Sequence, residues 1–375
     1  MKPTHFLFIL LLILSPILLK AQDVTTFLLE GKIGKASIVM ELKINGTDVW
    51  GQYYYKRFKK SIPLEGKYID DVTIELTYEH WDSQETFSLK EIDFESEYIY
   101  TGTWKNQDRQ TPLPVRLKII TDISKIPVLN AYVKHAPLSN YDFSRLANIQ
   151  LHQDSIQKLN TEFSITWLSD SISGFSSFRI NKNNSATGID SINYFLEELQ
   201  FNELLSYLDC EGSEYTNTME RLYIRGHVLS FALSNSYECG GAHPDYGTAG
   251  FTFNMDTGKQ MLLTDFLYFG KTEADYPSGD SYKLGDEIMG PNIVTLLTKL
   301  YPQEMRKPVD EDEPCDYSTA DVWDYTSWFL TKEGLYLYPY FYRAARCCDG
   351  AEFSTIPYKT LVKYKNPKVA IPMKW

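Results

Sequence analysis

"KASIVMELKINGTDVWGQYYYKRF", residues 35–58, is the stretch that decides the fold. Ile38, Met40, Leu42 and Ile44 fall at every second position, the period of a strand with one buried face. Asn45-Gly46 follows, and apolar character resumes at Val49 and through Gln52–Tyr55. Asn-Gly between two such runs is a hairpin signal, because the favoured tight turn needs positive φ at its centre. Downstream, "SIPLEGKYIDDVTIELTYEHW" alternates Val72, Ile74, Leu76 and Tyr78, and "EYIYTGTW" and "LPVRLKII" continue in the same manner. No segment here carries a 3.6-residue stripe. Residues 22–122 are therefore expected to form an antiparallel β-rich accessory domain of roughly seven strands, joined as consecutive hairpins.

Beyond it, Pro127 and Pro137 interrupt the pattern, and residues 123–160 are expected to bridge two domains. In the second domain, 161–375, the periods mix. "GIDSINYFLEELQFNELLSYL" places Ile192, Phe195, Leu196, Leu199, Leu204, Leu205 and Leu208 at helical spacing, with Asp190 or Ser191 as the cap. "ERLYIRGHVLSFALSNSYE" and "GTAGFTFNMDTGKQML" read as strands. "GDEIMGPNIVTLLTKLYPQEM" reads as a second helix, broken near Gly290 and Pro291. The tail 327–364 supplies two or three more strands. The expected fold class is α+β: the N-terminal β domain, then an α+β domain with an antiparallel sheet and helices on one face.

The first residues bound the compartment. Phe6–Leu19 is apolar except for Ser15 and Pro16, too short to span a bilayer comfortably. It is expected to be a removed signal peptide, residues 1–21, cut near Ala21, leaving no transmembrane segment. The chain carries a net charge of −12. Loss of Lys2 and Lys20 with the signal leaves 35 basic and 49 acidic residues, a charge of −14. An acidic chain without a basic stripe excludes nucleic acid as a partner. The location expected is secreted or periplasmic, in the cell envelope. There disulfides form, and Cys210, Cys239, Cys315, Cys347 and Cys348 are the candidates. Five is an odd number, so one thiol is left over. The pairing expected is Cys210 with Cys239, and Cys315 with Cys347 or Cys348.

Four ordered pieces carry a family resemblance: "YECGGAHP" (237–244), "FTFNMDTGKQMLLTDFL" (251–267), "WFLTKEGLYLYPYFY" (328–342) and "STIPYKTL" (354–361). With them, roughly residues 160–365 resemble the RsiV-like C-terminal domain, a family of exported bacterial modules. The resemblance implies an α+β fold. It also implies a binding or accessory role: such modules occur in the outer part of a lysozyme-binding anti-sigma factor and beside the catalytic domain of some peptidoglycan deacetylases. This chain departs from them in lacking a deacetylase domain and in placing Cys347-Cys348 where relatives carry small or apolar residues.

The chemistry-bearing stretch is "SYECGGAHPDYGTAG", residues 236–250. Cys239 and His243 as nucleophile and base lack a third orienting group. A divalent metal would take His227, His243 and Asp245, but no paired ligand motif accompanies them. A structural turn uses Gly240 and Gly241 for backbone freedom, with the His243 imidazole bonded to neighbouring groups. A ligand-binding loop would use Gly240, Gly241, His243, Asp245 and Tyr246. The acidic run 310–316 and the aromatic run 265–282 read as solvated loops. The expectation is a non-enzymatic, cofactor-free envelope-binding protein for peptidoglycan, another glycan or a basic lysozyme-like protein. The alternative is a metal-assisted envelope hydrolase using His227, His243 and Asp245.

Overall fold

The computed structural model describes residues 24–80, 83–92, 99–181, 186–212, 214–276, 281–309 and 315–375. The segment expected as a signal peptide, most of the acidic run and part of the aromatic run lie outside them. The chain divides into two compact units. The first runs through Tyr53 and resumes over Ile62–Thr121; the second comprises Tyr54–Ser61 and Asp122–Trp375.

The first unit is a closed eight-stranded barrel. Its strands are β1 (Thr25–Ile33), β2 (Ala36–Asn45), β3 (Asp48–Tyr55), β4 (Ile62–Tyr68), β5 (Thr73–His80), β6 (Ser83–Glu91), β7 (Tyr100–Asn106) and β8 (Leu113–Ile119). The β1–β2 ladder and every ladder from β3–β4 round to β7–β8 are antiparallel, and β8 closes on β1 with Leu29 opposite Ile119 and Ile33 opposite Val115. Eight strands leave an interior that side chains can fill. Leu29, Ile38, Met40, Leu42, Tyr53, Leu76, Phe87, Leu89 and Leu117 do so, all fully buried. One polar group is drawn in with them: Glu85 accepts from the Tyr53 hydroxyl and from Trp104 Nε1 at 3.0 Å. The decisive hairpin forms, but Asn45 stays in β2 and the turn is Gly46-Thr47, with Gly46 at φ +61°.

The second unit corrects the expected fold class. It is not one antiparallel sheet with helices on one face; its described residues form three small sheets, and the molecule is strand-dominated. Strands β9 (Leu151–Lys158), β10 (Ser164–Asp170) and β11 (Ser176–Ile180) form the first. Strands β12 (Glu214–Arg225), β13 (Val228–Glu238), β14 (Asp245–Asn254) and β15 (Lys259–Gln260) form the second. Strands β16 (Ser327–Leu330), β17 (Gly334–Tyr338) and β18 (Thr355–Pro357) form the third.

The reason lies in β13, buried continuously from Val228 to Leu233. A strand with one wet face alternates; one covered on both faces does not. Leu229, Phe231 and Leu233 pack in a core with Ile165, Phe178 and Ile192. On the other face another strand, not a helix, takes the place. Leu330 N donates to Ser230 Oγ at 2.9 Å, and Gly250 N donates to Ser327 Oγ at 2.7 Å. Gly250 is required there, since a Cβ would stand 1.8 Å from the Trp328 carbonyl oxygen.

The helices are few and mostly short. The segment expected as a bridge carries α1 (Ala131–His135), α2 (Asn140–Leu146) and β9. The long helix α3 (Ile189–Asp209) forms over the expected stripe, but its cap is Gly188 and not Asp190 or Ser191. Gly188 lies against Gly258, whose nitrogen would be 2.0 Å from a Cβ, so the helix starts where two backbones meet. Its first half joins the β10–β13 core, and Phe201, Leu204 and Leu208 join a smaller one with Tyr132 and Leu146. After α4 (Leu263–Phe266) and α5 (Ser281–Lys283), the chain makes a π-helix over Leu284–Met289 and enters α6 (Gly290–Leu300). The expected break thus takes the form of a change of helix type at Gly290-Pro291. A last turn, α7 (Tyr358–Leu361), follows β18.

The short return segment of the second unit is firmly held. Ser61 N donates to the Leu208 carbonyl at 3.0 Å, and Lys60 Nζ to that of Cys210 at 3.0 Å. Lys59 Nζ donates to the Arg145 carbonyl and to Asn148, while Arg145 Nε donates back to the Lys59 carbonyl at 3.2 Å. Burial, then the Arg145 cation, lowers the Lys59 ammonium to about 8.

Candidate binding cleft

The residues singled out in the sequence do not converge. His227 precedes β13 and His243 follows it. Val228 is opposite Asn254 and Tyr237 is opposite Asp245, nine residues along the ladder. At about 3.3 Å per residue that separation is roughly 30 Å, so His227 cannot share an ion with Asp245. His227 Nδ1 instead meets Asp256 Oδ1 at 2.6 Å, with its ring edge-on to Phe163. Among the described residues, the group able to bring three ligating atoms together is Cys315, Cys347 and Cys348.

The turn itself is pinned by a disulfide. Cys210, at the C-cap of α3, is bonded to Cys239, and Gly240 has φ +78°. Gly240 thus has the backbone role expected of it. His243 does not: it is exposed, and no hydrogen-bond partner is found among the described residues. Asp245 and Tyr246 are engaged elsewhere, with the 3-10 helix Arg343–Cys348. Arg346 pairs with Asp245 and with Asp349, its guanidinium carbon lies 4.9 Å from the Tyr246 ring centroid, and the Tyr246 hydroxyl donates to the Arg346 carbonyl at 2.6 Å. Cys315 is bonded to Cys348, and Cys347 is the exposed free thiol.

The concave surface lies beside this clamp. A cleft of about 690 Å³ opens over the β16–β17–β18 sheet. Alternation along β17 builds its floor. Leu335 and Leu337 point into the core, and Tyr336 and Tyr338 line the cleft. The register sets Phe329 opposite Tyr336 and Tyr336 opposite Thr355, a row across three strands. The Phe329 and Tyr336 rings are 4.8 Å apart. A second pair, Tyr301 and Phe353, meets edge-on at 5.5 Å. Burial lifts the Tyr336 hydroxyl to about 12, so it is a neutral donor at ordinary pH. Gly350 permits the wall to close on Tyr338: it has φ +71°, and a Cβ would lie 2.8 Å from Tyr338 Cε2.

The polar rim comes from β12 and two loops: Glu220, Arg221, Glu333 and Glu352, with Thr248, Thr331 and Thr355. Glu220 accepts from Ser234 Oγ, which in turn meets Thr248 Oγ1 at 2.9 Å. Arg221 occupies a β-bulge. Glu220 is opposite Ala232 and Tyr223 is opposite Ser230, so Arg221 and Leu222 together face one partner residue. Arg221 takes φ +54°, in the left-handed region where a side chain costs about 1–2 kcal/mol. Bulges re-aim side chains next to functional sites, and strain of this kind persists where the surroundings impose it. The Arg221 guanidinium is exposed and without an ion-pair or hydrogen-bond partner among the described residues.

Sequence reasoning missed this cleft. The available signal was the Leu/Tyr alternation of "GLYLYPY", residues 334–340, which marks a strand with an aromatic outer face. No family model and no curated protein matches the chain.

Proposed function

We propose that the protein is exported and binds a saccharide of the cell envelope in the β16–β18 cleft, without performing chemistry on it. The observation that carries this is the Phe329–Tyr336–Thr355 row, an aromatic floor rimmed by carboxylates and one unpaired guanidinium. Sugar rings offer apolar C–H faces to aromatic rings and hydroxyls to charged and hydroxyl side chains, so a platform with a polar rim fits them on both counts. The volume falls within the ~300–1,000 Å³ usual for ligand sites. Export is supported by two disulfides and by the apolar start of the chain. Among the described residues no helix is long and apolar enough to cross a membrane. The likeness to RsiV-like modules, some of which stand beside the catalytic domain of peptidoglycan deacetylases, belongs to the same reading and suggests the first ligand to try.

The test is calorimetric titration of residues 22–375 with soluble peptidoglycan fragments, with Tyr336→Ala alongside. The expected result is saturable binding that Tyr336→Ala weakens about tenfold, about 1.4 kcal/mol, through loss of the ring face beneath the sugar. Binding that Tyr336→Ala leaves unchanged refutes the cleft as the site. Absence of binding to peptidoglycan fragments and to neutral oligosaccharides refutes the saccharide reading.

A further inference from the structure

Around the Arg346 clamp, three sulfurs stand together for which the cleft has no use. Cys315 and Cys348 form a disulfide, Cys347 is a free exposed thiol, and the three sulfurs lie within 4.8 Å of one another. Cys347 Sγ is 3.8 Å from Cys348 Sγ. A thiolate beside a disulfide is the reactant pair of thiol–disulfide exchange. The surrounding backbone is held independently of the sulfurs. Tyr317 donates its hydroxyl to the Cys348 carbonyl at 2.8 Å, Arg346 Nε is 3.0 Å from Asp349 Oδ2, and Phe341 N donates to Asp349 Oδ1 at 2.7 Å. Sulfur partners can therefore change by side-chain rotation while the chain on either side keeps its bonds.

We propose that Cys315, Cys347 and Cys348 form a thiol–disulfide exchange centre in which the bond migrates between Cys315–Cys348 and Cys315–Cys347. The Cys347 thiolate attacks Cys315 Sγ. The Cys315–Cys348 bond breaks, Cys315–Cys347 forms, and Cys348 leaves as a thiolate that takes up the proton Cys347 gave to solvent. One disulfide and one thiol stand on each side, so no oxidant or reductant is consumed. Attack on Cys348 instead would close a bond between adjacent residues, a ring that departs from the usual Cα separation and is strained. The two isomers differ in what solvent meets. With the bond on Cys348 the free thiol is the exposed Cys347; with the bond on Cys347 it is Cys348, 1% exposed. The centre thus hides or presents a reactive thiol without net oxidation. It borders the cleft, because a cavity of about 290 Å³ with Cys315 and Tyr317 in its wall shares Glu352 and Phe353 with it.

The test is to quench the native protein in acid, unfold it there, label thiols with a thiosulfonate reagent, and locate the label by fragmentation. Acid removes the thiolate and freezes the isomers as they stood. The expected result is label on Cys348 in roughly a tenth of molecules or more, on Cys347 in the rest, and none on Cys315. Label on Cys347 alone, or any substantial label on Cys315, overturns the proposal. A second arm uses Cys348→Ser equilibrated in a glutathione redox buffer in which wild type keeps one free thiol. The expected result is no free thiol and a Cys315–Cys347 bond; two free thiols overturn the proposal.

Discussion

Arg221 offers a test in which stability and binding should move in opposite directions. Its φ of +54° costs about 1–2 kcal/mol with a Cβ present and nothing with glycine. Glycine in turn loses about 0.4–1 kcal/mol through the greater freedom of its unfolded chain. Arg221→Gly should therefore be more stable than Arg221→Ala by roughly 0.5–1 kcal/mol. The Ala variant is the proper reference, because both substitutions delete the guanidinium. Hydrogen exchange of peptides from β12 and β13 reads the local opening, without requiring two units to unfold as one. It should slow by about two- to fivefold in Gly relative to Ala. Both variants should bind peptidoglycan fragments about tenfold or more weakly than wild type, the loss of a hydrogen bond to a charged group at about 1.5–3 kcal/mol. If Arg221→Gly exchanges faster than Arg221→Ala, the bulge is not strained. If both bind as wild type does, the strain does not serve the cleft.

The Cys210–Cys239 bond closes a loop of 29 residues, and the chain-entropy relation gives about 3.5 kcal/mol for that length. The C210S/C239S double variant should lose about that much in guanidinium unfolding; a loss below about 1 kcal/mol would show that the loop stays ordered without it. Burial, then the neighbouring Asp286, raises the Asp324 carboxyl to about 6. Between pH 4 and 6 the folded state binds the extra proton, so this pair stabilises at low pH and its contribution is lost as pH rises through 6. Asp324→Asn should remove that slope and raise stability at pH 7 by on the order of 1 kcal/mol after allowance for solvent screening, and thermal melts that keep the wild-type slope would exclude the pair as its source. His243→Ala should shift the melting free energy by no more than about 0.5 kcal/mol, since the imidazole is exposed and makes no bond among the described residues. A larger loss in denaturant unfolding would mean that His243 contributes to folded stability.

Local signals were legible; long-range ones were not. The period of two in β2 and the stripe of α3 are written in adjacent residues and can be read there. The closing of the barrel depends on Leu29 meeting Ile119, and nothing near either residue announces the other. The same holds for the second unit. Residues 228–233 read as a strand, but whether a helix or another strand covers their second face is decided by residues 327–330, about a hundred positions away. The reactive-looking turn drew attention because cysteine, histidine and aspartate stand out in print. In space Cys239 is locked, Asp245 is paired and His243 faces water. The cleft is assembled from β12, β14, β16, β17, β18 and two loops, each bland alone.

The return segment Tyr54–Ser61 makes the second unit discontinuous along the gene. On a ribosome these eight residues emerge early, and the residues that receive them, Arg145, Leu208 and Cys210, follow more than eighty positions later. The second unit therefore cannot complete itself from its own contiguous stretch. A fragment begun at Asp122 would leave the Leu208 and Cys210 carbonyls without their donors and Arg145 Nε without its acceptor. Truncation anywhere between the two segments of this unit therefore removes part of its own hydrogen-bonded framework.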